Sequence, residues 1–442
     1  MYSEKIKAVL KKLKIEIGNV IEMESKGNVH KGKLMPHPSE SKENIIVLKL
    51  DNGYNIGLEF DSKTKISKIS ALVNAPKKPM IVKHDSSKPT ILILHTGGTI
   101  ASKVDYETGG VISKFTPEDL VSMIPEIQQI ANVETKIVYQ EWSDNLTSKH
   151  WQILAKEVYK ACNDKRISGI IIGHGTDTMH YTASALAFFL ENLNKPVILV
   201  GSQRSSDRGS TDAHMNLICA TQLATKSDLA EVVISMHHSS SDDKCSILRG
   251  VKARKMHTSR RDAFKPINDT ILGTISKNGS IEMQQQNYKK KHTGTVKLLD
   301  KFEENVALLK VHPNQNPKIL EFLAKSGVKG IVIEGTGLGH VYTKGKNNLL
   351  PTLEKITKKI PVFMTSQTIY GRINMNVYNA GLMLQETGVI GNLHDMHAEL
   401  ALVKLGWILG QTKDPKKVKE MMLTNFRGEL SDTTKLEAFD TY

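Results

Sequence analysis

The sequence predicts an α/β protein, with two α/β domains built on mostly parallel sheets and a small all-β, barrel-like domain in front of them. Three observations carry this prediction. From Thr90 onward, apolar strand-length runs alternate with helix-length amphipathic segments. Before residue 85 the apolar clusters are short, β-type and separated by turn signals. The 442 residues exceed one ordinary domain, and 39% apolar residues, 24% charged residues and only 14 prolines describe a soluble globular chain rather than a disordered or fibrous one.

The elements follow in order. Residues 1–85 read as a short helix and then hairpins: Val20 to Met23, Ile45 to Leu50, the turn signal Asp51-Asn52-Gly53, and Tyr54 to Leu58. Lys83 to Pro89, polar and Pro-terminated, suits a linker. In the first α/β domain, residues 86–290, the clearest strands are Ile91 to Leu94, Gly169 to Ile172, Pro196 to Val200 and Val232 to Met236. Gln284 to His292, Gln-rich and closing on three lysines and a histidine, reads as part of an interdomain connection. The second α/β domain, residues 291–412, has strands at Gly330 to Ile333 and Pro361 to Met364 and an amphipathic helix at Ala398 to Leu409. A charged, partly helical tail is expected over residues 413–442.

Composition narrows the function classes. Met1 to Lys14 has no sustained apolar stretch and no small-residue cleavage site, and no apolar run has the length of a membrane span. Cys162, Cys219 and Cys245 are too few for a disulfide framework and lack the paired spacing of a zinc site, so a reducing cytoplasm is expected, with no metal site. Sixty Lys and Arg against 46 Asp and Glu give a formal charge of +14, which would attract a polyanion such as tRNA. Dispersed lysine also simply solvates a surface, and charge alone does not separate the two readings.

Three segments carry chemistry. Strand Ile91 to Leu94 runs into His95-Thr96-Gly97-Gly98-Thr99, at the carboxyl end of a strand, where open α/β sheets bind their ligands. Gly169 to Ile172 runs into Gly173-His174-Gly175-Thr176-Asp177-Thr178, with a hydroxyl and a carboxylate adjacent; the plain alternative is that Thr178 or Asp177 caps the following helix. The third segment is Arg254-Lys255-Met256-His257. Together they supply parts for acyl transfer. A threonine hydroxyl needs a base, a desolvated lysine can serve, and backbone amides beside glycines can hold an oxyanion.

These segments, in this order and at these separations, resemble the bacterial-type L-asparaginase family. The resemblance covers about Thr90 to Gly410 and implies that both α/β domains are asparaginase-like. It places Thr99 as the conventional nucleophile, with Thr176, Asp177 and Lys255 as the activating relay; Thr176 competes for the nucleophile role. Tyr106 aligns with a lid tyrosine that orients the first threonine. Gly98, Ser143, Asp144 and Gly175 fall where the family binds substrate, Ser143 at the α-carboxylate, although Asp144 departs from the amide often found there. A second departure is that Thr365 to Gly381 has no acidic residue to support the lid tyrosine.

The N-terminal segment resembles a narrower family. Gly32 to Pro36 and Leu48 to Gly57, with Lys255 to Phe264 and Asp395 to Trp407, are similar to GatD, a component of the archaeal-type glutamyl-tRNA(Gln) amidotransferases. That resemblance implies a glutaminase or asparaginase half-reaction here, with glutamine or asparagine as amide donor and no cofactor in this chain. It implies a partner, GatE, that uses ATP and Mg to amidate Glu-tRNA(Gln), and a homodimer within a heterotetramer in the cytoplasm. The absence of a Gly-x-x-x-x-Gly-Lys-Ser/Thr loop agrees with ATP chemistry on the partner. A free cytosolic L-asparaginase would leave residues 1–85 without a role, and a non-catalytic RNA-binding protein would leave the ordered constellation without one.

Overall fold

The computed structural model describes residues 2–37, 43–50, 55–70, 84–98, 102–104, 111–113, 124, 126–204 and 211–439. Helix α1 (Glu4–Lys12) turns Ile6 and Leu10, one helical turn apart, onto a five-stranded antiparallel sheet. The sheet comprises β1 (Val20–Ser25), β2 (Asn28–Leu34), β3 (Ile45–Lys49), β4 (Asn55–Glu59) and β5 (Lys65–Ser70), in the order β4-β3-β2-β1-β5. Along β1, Ile21 and Met23 point inward while Glu22 faces solvent, the period of a half-buried strand. The predicted turn at Asp51-Asn52-Gly53 lies outside the described residues; on either side of it β3 and β4 pair antiparallel, Lys49 opposite Asn55.

Next come β6 (Thr90–His95), the antiparallel pair β7 (Ser102–Val104) and β8 (Val111–Ser113), α2 (Glu126–Ile130) and β9 (Asn132–Ile137). The βα alternation continues through α3 (Ser148–Asn163), β10 (Ile167–Gly173), α4 (Met179–Phe189), β11 (Leu190–Glu191), β12 (Val197–Val200), α5 (Ala213–Lys226) and β13 (Val232–His237). An antiparallel stretch follows: β14 (Lys244–Arg249), β15 (Ala253–Lys255), β16 (Phe264–Pro266), β17 (Gly273–Ser276) and β18 (Ile281–Met283). The main sheet has the order β18-β17-β14-β13-β12-β10-β6-β9, parallel from β9 to β13. β12 and β13 are buried on both faces, which is why their sequences are continuous apolar runs.

The second domain comprises β19 (Lys297–Leu298), β20 (Val306–Lys310), α6 (Lys318–Lys325), β21 (Gly330–Gly335), α7 (Leu350–Thr357), β22 (Val362–Ser366), α8 (Asn379–Glu386), α9 (Ala398–Gln411) and α10 (Pro415–Met422). Its sheet, β20-β21-β22, is wholly parallel. The two domains share one core, where Phe188 of α4 stacks on Trp407 of α9 with ring centres 5.2 Å apart.

Three segments differ from simple linkers and tails. The Asn132 side chain fixes residues 85–88, accepting from the Asp85 amide and donating to the Asp85 and Lys88 carbonyls. Gln284 to His292 lies along the first domain, with the Ala230 amide on the Lys289 carbonyl at 2.7 Å and the Lys291 amide on the Asp228 carbonyl at 2.6 Å. Beyond Gln411 the chain stays in the core: Val418 and Met422 of α10 are buried, and Glu429 meets Lys404 of α9 at 2.7 Å with both side chains fully enclosed. Among the described residues no helix is long and apolar enough to cross a membrane.

Candidate active site

The carboxyl ends of β6 and β10 lie side by side, because the two strands pair in parallel with His95 opposite Gly173. Thr96 ties them beyond the last pair, its amide and hydroxyl both donating to the Gly173 carbonyl at 3.1 and 2.8 Å. The loops that follow pack with backbone against backbone. A Cβ at Gly98 would fall 2.4 Å from both Cα and N of Gly175, and Gly98 has φ +78°. Only glycine fits that conformation and that approach. Gly175 in turn leaves no room for a side chain, since a Cβ there would sit 2.8 Å from Cβ and Oγ of the buried Ser143.

His174 holds this loop from below. It is fully buried, and burial pulls its imidazole down to about 4, so the ring is neutral at ordinary pH. Nδ1–H donates to the Gly175 carbonyl at 2.6 Å, and Nε2 accepts from the Thr182 hydroxyl at 2.9 Å. Thr178 stands at the N-cap of α4 but makes no side-chain cap; its hydroxyl donates to the Ser143 carbonyl at 2.6 Å. The capping alternative is thereby set aside for Thr178, which instead joins the Ser143 turn to the Thr176 loop.

Lys255 completes the arrangement from β15. Its Nζ donates to Thr176 Oγ1 and to Asp177 Oδ1, each at 2.8 Å. Thr176 is buried, Lys255 nearly so, and Asp177 is open to solvent, with side-chain exposure of 11% for Lys255 and 69% for Asp177. A buried hydroxyl, an amine and a carboxylate in series, ending at water, can move a proton between the site and solvent. Gly98, Ser143, Gly175, Thr176, Asp177 and Lys255 are thus brought together. Asp144 is exposed beside Ser143 in the short 3-10 turn Ser143–Asn145. Thr99 and Tyr106 lie outside the described residues. Sequence reasoning does not single out His174, Arg254 or Glu399, whose parts rest on contacts between distant segments.

Gly98→Ala is expected to cost about 2–3 kcal/mol from the left-handed backbone and the collision with Gly175. The displaced Gly175–Thr176 loop also lowers amide hydrolysis. Thermal unfolding beside an ammonia assay checks this, and a variant with unchanged Tm and turnover would remove Gly98 from the site's construction.

Family models match in three stretches: "Asparaginase, N-terminal" over residues 90–289, "Glutaminase/Asparaginase C-terminal domain" over 305–422 and "GatD N-terminal domain" over 15–69. The GatD component of the glutamyl-tRNA(Gln) amidotransferase of Pyrococcus furiosus is 47% identical, over 98% of this chain and 99% of its own length. The chain belongs to the GatD family of glutamyl-tRNA(Gln) amidotransferases. The GatD of Sulfolobus acidocaldarius is 42% identical over 99% of this chain and 97% of its own. Among solved structures, the thermostable L-asparaginase from Thermococcus kodakarensis superposes with a TM-score of 0.71 at 29% identity, covering 78% of this chain and 100% of that one. L-asparaginase I from Vibrio cholerae gives 0.67 at 28% identity, covering 78% and 99%. As a GatD family member, the chain is a glutaminase/asparaginase-type amidotransferase component with an asparaginase-like amidohydrolase fold.

Proposed function

We propose that this chain releases ammonia from glutamine or asparagine through a threonine nucleophile, and that a partner of the GatE kind uses the ammonia, with ATP and Mg, to convert Glu-tRNA(Gln) to Gln-tRNA(Gln). The observation that carries the reading is the pair of 2.8 Å bonds joining Lys255 to Thr176 and Asp177. Thr99 or Thr176 attacks the side-chain amide carbon, and its proton passes into the Thr176–Lys255–Asp177 relay. Lys255 takes that proton as the neutral amine, and the Asp177 carboxylate, hydrogen-bonded to it, stabilises the ammonium that forms. Backbone amides at Gly98 and Gly175 hold the oxyanion, the C–N bond breaks, and the relay returns a proton so that nitrogen leaves as ammonia. Water then hydrolyses the acyl-enzyme to the free acid. Ser143 receives the substrate's α-carboxylate, Asp144 lies by its α-amino group, and Tyr106 serves as the lid residue. This chemistry uses no cofactor in the chain itself.

The working form is a homodimer within a cytoplasmic heterotetramer. A second reading, a free cytosolic L-asparaginase, is favoured by the likeness to solved asparaginases over 78% of the chain. The match of residues 15–69 to a GatD N-terminal domain argues for the first. Ammonia release from glutamine and from asparagine, with and without GatE and Glu-tRNA(Gln), decides between them. Stimulation by both is expected; full activity on asparagine that neither changes would establish the free enzyme instead.

A further inference from the structure

Lys255 sits on a strand of three residues whose sheet has two strands, β15 and β16, apart from the main sheet. Successive strand residues face opposite ways, so Arg254 leaves β15 on the side away from Lys255. There it meets the second domain. Its Nε and Nη2 both donate to Oε1 of Glu399, in the first turn of α9, at 2.8 and 2.6 Å. The other carboxylate oxygen lies 3.0 Å from Nδ1 of His397, the N-cap residue of the same helix, and that nitrogen is also 3.3 Å from the Leu400 amide. Glu399 and His397 are both buried. Burial alone would raise the Glu399 carboxyl, but the His397 hydrogen bond and charge together with the Arg254 guanidinium hold it well below the usual carboxylate range. His180, in the first turn of α4, is also buried; among the described residues its Nδ1 and the Nε2 of His397 have no hydrogen-bond partner. The ion pair is partly sheltered from water, with side-chain exposure of 27% for Arg254 and 11% for Glu399.

We propose that Arg254, Glu399 and His397 are positioning residues, through which helix α9 of the second domain holds β15 so that the Lys255 amine stays on Thr176. The inference rests on the reading of Lys255 as the relay amine. The lack of an acidic residue in Thr365 to Gly381 then has a counterpart: the second domain does bring a carboxylate toward the site, on α9, and uses it on the neighbour of Lys255. Because a displacement of about 1 Å at a catalytic group costs on the order of 10²-fold in rate, a strand this short needs such an anchor.

The test compares Glu399→Gln, Arg254→Met and Arg254→Lys with Lys255→Ala in the full-length chain, reading ammonia release and Tm in the same samples. Glu399→Gln is isosteric, and Arg254→Lys keeps the charge and an N–H donor for Oε1 of Glu399. Expected are a drop in kcat of about 10- to 100-fold for Glu399→Gln and Arg254→Met, KM within about twofold, and recovery of most of the lost kcat in Arg254→Lys. Unchanged kcat in Glu399→Gln, or a loss that falls equally on Tm and is not recovered by Arg254→Lys, overturns the proposal. Lys255→Ala separates the levels. If it retains turnover, the relay reading itself fails; if it is inactive while Glu399→Gln keeps full kcat, only the positioning role fails.

Discussion

Lys255→Ala folds normally and loses ammonia release by on the order of 10³-fold, the size of effect that a missing proton-transfer group produces. The residue lies at the end of a short strand apart from the main sheet, and its amine is engaged by Thr176 and Asp177, so truncation removes the relay without opening the core. Thr176→Ala has the same consequence from the other end of the same bond. Groups that act as a unit are not additive, so the double variant Thr176→Ala/Lys255→Ala is expected to be hardly worse than either single one. Steady-state ammonia assays alongside near-UV circular dichroism check this. Near-normal turnover in either folded single variant would show that the proton path runs elsewhere.

The second large effect concerns stability. Glu429→Ala is expected to cost about 3–5 kcal/mol, because it strands a buried cation. Lys404 and Glu429 are both fully enclosed, and burial pushes the Lys404 ammonium down against the pull of Glu429. Glu429 also accepts from the amides of Phe426 and Arg427, while Lys404 donates to the carbonyls of Met422 and Thr424. Removing the carboxylate therefore leaves an ammonium and two amides short of a partner. Lys404→Met strands the carboxylate in the same way and leaves the carbonyls of Met422 and Thr424 short of a donor, so a cost of similar size is expected. At roughly 2–4 °C per kcal/mol for domains of this size, the Tm of Glu429→Ala drops by roughly 6–20 °C. A Tm within a degree of the parent would mean that the tail after α10 is not part of the cooperative core.

Strands β10, β12 and β13 of the main sheet are legible because they are buried almost wholly on both faces and so read as apolar runs: the sequence predicts Val232 to Met236, and Val232–His237 is observed. Helix Ala398–Gln411 is likewise visible within two residues of its end. Thr176 and Asp177 are legible as residue types at a strand end and Lys255 only through the family resemblance, and the convergence of Thr176 with Lys255 is a contact across 79 positions that no local pattern encodes. Strand β15 leaves no trace in the sequence because three residues carry no periodicity. Arg254 and Glu399 stay hidden for a related reason: each is an ordinary charged residue until a partner from the other domain is in place. The tail reads as a charged appendage, since a buried Glu429 is distinguishable from a solvated one only by its ion pair with Lys404. Thr99 and Tyr106 lie outside the described residues, so their places in the site stand on the sequence alone.

Intact-protein and peptide mass spectrometry, after reaction with an electrophilic glutamine analogue that stays on the nucleophile, tests the threonine chemistry most directly. The expected result is one adduct per chain on Thr99 or Thr176, strongly reduced in Lys255→Ala. An adduct on any other side chain, or labelling of the two threonines that is indifferent to Lys255, would contradict it.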